Sequence, residues 1–438
     1  MLAGALVLGG GQGTLGDSLV QLLALALIAF CLWRHAVDPE AGLPRLAWLV
    51  VLPLLVPLLQ LLPLPEPLWL LPEGRQELAA ELAAAEVEAP SRWSLVPLAT
   101  ERALFWLLPA VALFLATLQL QASQRRLLLQ LLVVLAAFNV VLGLAQLAGG
   151  PGSGLRFYSN TNVNEAVGFF ANRNHLASLL AVCLPLVMAG TALWLSRREQ
   201  MDARAVLGVA VGLGLVILLI LGIAMARSRA GLLLGMAGLL GSLPIVLGLR
   251  RRRGTRRALV VAVSLGVMLV LQVGLFGILQ RLQKDPLEDQ RFRYLPIAME
   301  VASRQAPLGA GLGGFRRAFE AADVEPTGYY VNHAHNDYVE LWVDAGPLAV
   351  LVGVPVLAGL GLALWRTLRR GGGSRGARAM ALSAALGLGL LALHSLGDYP
   401  LRTTAMLAVA GLLCGLLITP DGQRPEGTPT RTHGTHAA

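Results

Sequence analysis

Apolar positions in this chain come in long unbroken runs separated by short polar stretches, not at the three-to-four spacing of a helix with one wet face. A helix needs about 20 consecutive apolar residues to cross a bilayer. Eleven runs approach that length, near 16–33, 46–64, 102–121, 127–147, 175–196, 204–225, 230–249, 258–279, 339–364, 379–396 and 401–419. The first is short, and Pro53, Pro57 and Pro63 should kink or end the second. The pattern predicts an all-α polytopic membrane protein of eleven transmembrane helices. Between the second and third runs lies a loop, 65–101, in which Glu73 to Glu88 reads as a short acidic surface helix. Residues 280–338 form the one large loop. The tail 420–438, rich in Gly, Pro, Thr and His, is expected to be disordered.

Composition agrees. Of 438 residues, 55% are hydrophobic and only 14% charged, too few charges to cover a soluble domain of this size. The net charge of +9 suggests nucleic acid at first sight, but the arginines sit in short loops between apolar runs, as membrane topology requires. Arg250, Arg251, Arg252, Arg253, Arg256 and Arg257 follow the seventh run. Arg366, Arg369, Arg370, Arg375 and Arg378 follow the ninth. Both loops are therefore expected in the cytoplasm, with the N-terminus and the large loop outside. Cys31, Cys183 and Cys414 lie inside apolar runs and read as buried small side chains, not disulfides or a metal site. No cleavable signal peptide stands out, and the first run reads as an anchor.

With that topology, the polar clusters all fall on the outer face. The densest is Asn332-His333-Ala334-His335-Asn336-Asp337-Tyr338, which runs into a segment carrying Glu340 and Asp344. Placing so many ionisable groups against an apolar segment is costly unless they are paired or used. Imidazole titrates near neutrality, so His333 and His335 are candidates for proton transfer; a helix-capping loop is the plainer alternative. His333, His335 and Asp337 have the composition of a divalent-metal site, yet they crowd one short segment, and neither a metal nor another cofactor is expected. Glu340 and Asp344, one turn apart, can face the same site or be fixed by neighbouring arginines.

Four further clusters join it. Arg227 and Arg229 lie in a tight connection between runs and can clamp a phosphate bidentately at the headgroup plane, or simply snorkel to ordinary lipids. Arg173, in Phe170–Ala177, can add a third donor set. The run Pro307–Phe315 is rich in glycine, but no βαβ unit surrounds it; a tight turn bringing backbone amides near the site fits better than a nucleotide loop. His394 and Asp398, four residues apart, can pair as imidazole and carboxylate.

In that order the stretches FANRNHLA (170–177), SRAG (228–231), PLGAGLGGF (307–315), HAHNDYVEL (333–341) and HSLGDYP (394–400) resemble the O-antigen ligase/polymerase superfamily of bacterial envelope glycosyltransferases, over residues 165–402. The resemblance implies a GT-C-like membrane bundle, often of twelve helices, in the bacterial inner membrane. It divides the chain into N-terminal helices (1–164), a ligase/polymerase-like core (165–402), a last helix (403–419) and a cytoplasmic tail (420–438). It also implies transfer of a glycan, on the periplasmic face, from undecaprenyl pyrophosphate to a hydroxyl of lipid A-core, a polysaccharide or a protein, as in lipopolysaccharide biosynthesis. By motif, His335 takes the place of the base, with Asn336, Asp337 and Glu340 beside it in the catalytic group. Arg227 and Arg229, with Arg173, take that of the pyrophosphate-binding arginines. His333, Tyr338, His394 and Asp398 complete the expected substrate-binding set.

The chemistry fits the residues: a pyrophosphate leaving group needs fixed cations, and the attacking hydroxyl needs a base working near neutral pH. A polymerase of surface polysaccharide is the nearest alternative. A transporter or flippase of lipid-linked sugars should instead show polar residues along a mid-bilayer path. A structural scaffold would not need histidines and arginines converging from five segments.

Overall fold

The computed structural model describes residues 1–11, 15–38, 43–89, 91–198, 202–249, 290–322, 331–369 and 374–418, with isolated positions 264 and 268. Among them the regular structure is helical, apart from one isolated bridge between Pro63 and Arg92. In chain order the helices are α1 (Leu2–Leu8), α2 (Leu15–Val37), α3 (Val51–Gln60, continuing a 3-10 turn over Arg45–Val50), α4 (Glu66–Trp69), α5 (Glu73–Ala84), α6 (Pro97–Gln119), α7 (Ala122–Ala148), α8 (Arg173–Ser196), α9 (Ala203–Met225) and α10 (Arg229–Gly248). After a gap in the description come α11 (Gln290–Arg304), α12 (Phe315–Ala322), α13 (Asp337–Ala345), α14 (Pro347–Arg369), α15 (Arg375–His394) and α16 (Thr404–Ile418).

Eight of these helices are long and apolar enough to cross a membrane: α2, α6, α7, α8, α9, α10, α14 and α15. Two shorter apolar helices, Arg45–Gln60 and Thr404–Ile418, match two more of the runs in the sequence. The run at 258–279, the arginine loop at 250–257 and the tail lie outside the described residues. The first apolar run is not short: its helix, α2, has 23 residues.

α8 is the hub. It packs against α7, α9, α10 and α15, and its leucines, alanines and Cys183 fill the main core. Small residues permit this closeness: a Cβ on Gly231 of α10 would lie 2.5 Å from that of Ala177. α16 packs chiefly on α6 and is buried along nearly its whole length. α14, by contrast, exposes Val350, Leu351, Val354 and Leu357, as expected of a helix facing lipid.

One expectation needs correction. The run 339–364 is not one helix. Gly346, at φ +51°, breaks it into α13, a short helix carrying buried carboxylates, and α14, the span proper. The apolar residues of 339–346 face a satellite core and not lipid, which is why hydropathy alone merges the two. The described part of the large loop 280–338 carries helices: α11 and α12 pack with α13 through Tyr294, Phe315, Phe319 and Val343. These aromatic anchors give the loop a core of its own.

Candidate active site

Connectivity brings one end of the bundle together. α8 starts there at Arg173, α9 ends, α10 starts at Arg229, α15 ends at His394 and α16 starts at Thr404. Backbone hydrogen bonds tie the segments: Ala405 N donates to Gly9 O, Ala171 N to Gly10 O, and Asp337 N to Ser395 O. All the polar clusters named from the sequence, as far as they are described, sit at this end.

α13 begins with Asn336 as its cap. The Asn336 side-chain oxygen accepts from the amides of Tyr338 and Val339 at 3.0 and 3.1 Å, while its Nδ2 donates to Leu396 O. Asp337, Glu340 and Asp344 then share one helix face, and all three are buried. A buried cation meets them. Arg402 lies 3.5 Å from Asp337, 3.4 Å from Glu340 and 3.0 Å from Asp344. Burial would raise Glu340, but Arg402 and His333 prevail and hold it at about 2. Burial pushes Asp337 and Asp344 up to about 6 against the pull of the same arginine. The three carboxylates hold Arg402 above its ordinary value despite its burial.

The glycine-rich run wraps the far end of α13. Amides of Gly313 and Phe315 donate to the Asp344 carboxylate at 3.1 and 2.8 Å, and those of Ala310 and Gly311 to the carbonyls of Val343 and Asp344. Gly309 and Gly311 have φ of +74° and +98°, where a side chain would strain the backbone. The turn is locked from outside by Gln60 and by Arg75, which is wholly buried and donates to the carbonyls of Trp93 and Gly309. The acidic helix α5 thus carries a pin, not merely a wet surface. The amides serve the protein's own carboxylate.

Around Tyr399 three histidines gather: His333 stacks on its ring at 4.1 Å, and His175 and His335 meet it edge-on at 5.0 Å. His333 Nδ1 is held by both Glu340 oxygens, at 2.9 and 3.1 Å. His335 Nδ1 faces Asp398 at 3.8 Å, and His175 Nε2 faces the same carboxylate at 4.0 Å. Asp398 also accepts from Asn174 and from the Tyr399 amide. His335 has φ +52°, uncommon for a residue with a side chain, and its side chain remains about a quarter exposed (27%). His394 Nδ1 bonds to Ser178 of α8. Tyr338 hydroxyl donates to Ala392 O at 2.9 Å, and its ring is exposed.

Beside this group opens a cavity of about 1130 Å³. His175, His333, His335, Glu340, Tyr399 and Arg402 form part of its wall. Four more arginines line it, Arg102, Arg173, Arg316 and Arg317, together with the loop from Phe157 to Asn162. Arg173 pairs with Glu165, and Arg316 and Arg317 with Glu320. Arg227 and Arg229 stand at the same end of the bundle but do not line the cavity. Arg227 has φ +49°, and Ser228 caps α10 by accepting from Gly231. Among the described residues no group of three His, Cys, Asp or Glu could hold a metal ion.

Residues 214–354 match the family model described as O-antigen ligase. The match supports membership of the O-antigen ligase/polymerase superfamily, in line with the resemblance, and spans three of its five motifs, those at 228–231, 307–315 and 333–341. None of the curated proteins compared with the chain matches it. The matched segment holds Arg227, Arg229, the glycine turn and the whole of α13. Asp398, Tyr399 and Arg402 lie beyond it and reach the site only through the fold.

Asn174, His175 and Tyr399 stand in the motifs without a role assigned to them, and Arg402 lies outside every motif. For Arg402 a signal exists: carboxylates at 337, 340 and 344 fall on one helical face, and burying three of them demands a cation. His175 and Asn174 lie in the polar start of α8, within the stretch 170–177, but only the fold brings His175 to Tyr399.

Proposed function

We propose that this protein is a glycosyltransferase of the O-antigen ligase type, working on the periplasmic face of the inner membrane and passing a glycan from undecaprenyl pyrophosphate to a hydroxyl acceptor. The observation that carries the reading is His335, on the wall of a basic cavity with Asp398 behind its Nδ1. A carboxylate at one ring nitrogen fixes the tautomer and leaves the other to take a proton. The separation of 3.8 Å is longer than a hydrogen bond, and such contacts tighten when substrate binds. His335 then removes the acceptor proton as the hydroxyl oxygen attacks the anomeric carbon. The glycosyl–oxygen bond to pyrophosphate breaks, and its electrons leave with the phosphate, whose growing charge the cavity arginines stabilise.

The remaining expected site residues take positioning roles in this reading. Glu340 fixes His333, Asn336 and Asp337 frame the start of α13, and His394 braces α8 through Ser178. Arg227 and Arg229 meet the donor at the rim, with Arg173 inside. No cofactor is needed, because the donor already carries its leaving group. A GT-C-like bundle is part of the same reading.

Polymerisation of a surface polysaccharide uses the same chemistry with a glycan as acceptor. The test is transfer by purified protein from a polyprenyl-pyrophosphate-linked glycan, offered lipid A-core and a second lipid-linked glycan in parallel. Product on lipid A-core supports the ligase, and lengthened glycan the polymerase. No transfer to either, with donor moved across vesicles instead, would favour a flippase.

A further inference from the structure

A second cleft, of about 980 Å³, opens at the other end of the bundle. Its lining comes from α7, α8, α9 and α15. On α7 it runs from Ser123 to Val134, on α8 from Arg197 back to Leu186, and on α9 from Arg204 to Leu215. Each is an eleven-residue advance, or about 16 Å of helix, close to half the roughly 30 Å hydrocarbon core of a bilayer. The cleft is therefore one leaflet deep. Its walls are apolar, and Leu127, Val134, Trp194, Leu207 and Val211 are exposed. Its floor is close-packed: a Cβ on Gly208 would lie 2.3 Å from Trp194, and one on Gly212 2.2 Å from Thr191.

Charged residues are confined to the mouth. Arg126, Arg197 and Arg204, one from each of the three helices, line the cleft at its membrane-surface end. None of the three forms an ion pair with a carboxylate among the described residues. Largely apolar walls one leaflet deep beneath three guanidinium groups match one chemistry, an acyl chain beneath an anionic phosphate headgroup.

We propose that this cleft binds an anionic glycerophospholipid of the leaflet opposite the active site, with its phosphate held by Arg126, Arg197 and Arg204 and an acyl chain against Trp194. The lipid fills the space between α7 and α9 and braces α8, the helix whose other end carries Arg173 and His175. Each arginine near an anionic headgroup contributes on the order of a fivefold preference.

The full chain is reconstituted in nanodiscs of phosphatidylcholine containing equal fractions of brominated phosphatidylglycerol or brominated phosphatidylcholine. Tryptophan quenching is read as the difference between the protein and its Trp194→Phe variant, which isolates the cleft. Quenching of the Trp194 signal should occur at lower fractions of the brominated anionic lipid than of the neutral one. The triple variant R126Q/R197Q/R204Q should lose about tenfold or more of that preference. R126K/R197K/R204K, which keeps the charge, should retain most of it and controls for misfolding. Equal quenching by both lipids would mean a neutral lipid groove and overturn the proposal. So would a Trp194 signal that neither lipid quenches, which would mean that another part of the chain fills the cleft.

Discussion

Arg402 stands 3.0 Å from Asp344, and this contact joins the end of the transmembrane hairpin to the glycine turn of the large loop. Asp344 takes two amides from that turn on its other side, so the loop and the bundle are fastened through one carboxylate. Arg402 also holds Asp337 and Glu340, and Glu340 holds His333. A chain of buried charge thus runs from the turn to the histidines, and its geometry sets where the imidazoles stand.

Replacing Arg402 leaves three buried carboxylates with no cation. Arg402→Met should destabilise the protein by about 3–5 kcal/mol. Arg402→Lys should recover only part of this, because a lysine cannot fork across three partners. Thermal unfolding in detergent measures both, and a wild-type midpoint for Arg402→Met would show that the carboxylates are stabilised elsewhere.

The same cluster gives stability a pH dependence with a definite sign. Asp337 and Asp344, raised from 3.8 to about 6, favour folding while protonated, so their contribution is present below about 4 and lost as pH rises through about 6. Glu340, lowered to about 2, contributes above about 4.5 and loses that contribution as pH falls towards 2. Stability should therefore decline between pH 4 and 6 on the alkaline side of its maximum, and Asp337→Asn should flatten part of that decline. Unfolding midpoints across this range provide the check; an unchanged slope in the variant would remove Asp337 from the account.

The glycine turn is sensitive at Gly309, where a Cβ would lie 2.6 Å from the Asp344 carbonyl oxygen and the backbone has φ +74°. The obstacle is backbone, so no side-chain rearrangement relieves it. Gly309→Ala should cost more than about 2 kcal/mol. At Gly397 an added Cβ would meet nothing within 4 Å, and alanine there should have little effect on the unfolding midpoint.

Much of the architecture is legible in the sequence because a bilayer forces long apolar runs, and ten of the eleven runs correspond to apolar helices among the described residues. The division of 339–364 is hidden because Val339, Trp342 and Val343 are as apolar as a span, yet pack in the satellite core of the large loop. At the site, local spacing reveals Glu340 and Asp344 on one face, but not their partner Arg402, nor the meeting of His175, His333 and His335 at Tyr399. Those contacts join positions far apart in sequence, and no periodicity carries them.

The two arginine sets can be separated by donor affinity. Arg229→Ala should weaken binding of a polyprenyl pyrophosphate if the rim holds it, and Arg102→Ala should do so if the cavity wall does. Arg229→Lys should restore only part of the loss. Binding measured by displacement of a fluorescent donor decides between them, and unchanged affinity in both single variants and in the double variant would place the pyrophosphate elsewhere.

The most direct test of the account is single-turnover transfer by His335→Ala, measured beside its affinity for the lipid-linked donor. With His335 as the base, transfer should slow by about a hundredfold or more while donor affinity stays within about twofold. Asp398→Asn should fall in the same direction, because the ring loses the carboxylate that fixes its tautomer. A His335→Ala protein that transfers glycan at the wild-type rate would contradict the assignment and with it the proposed mechanism.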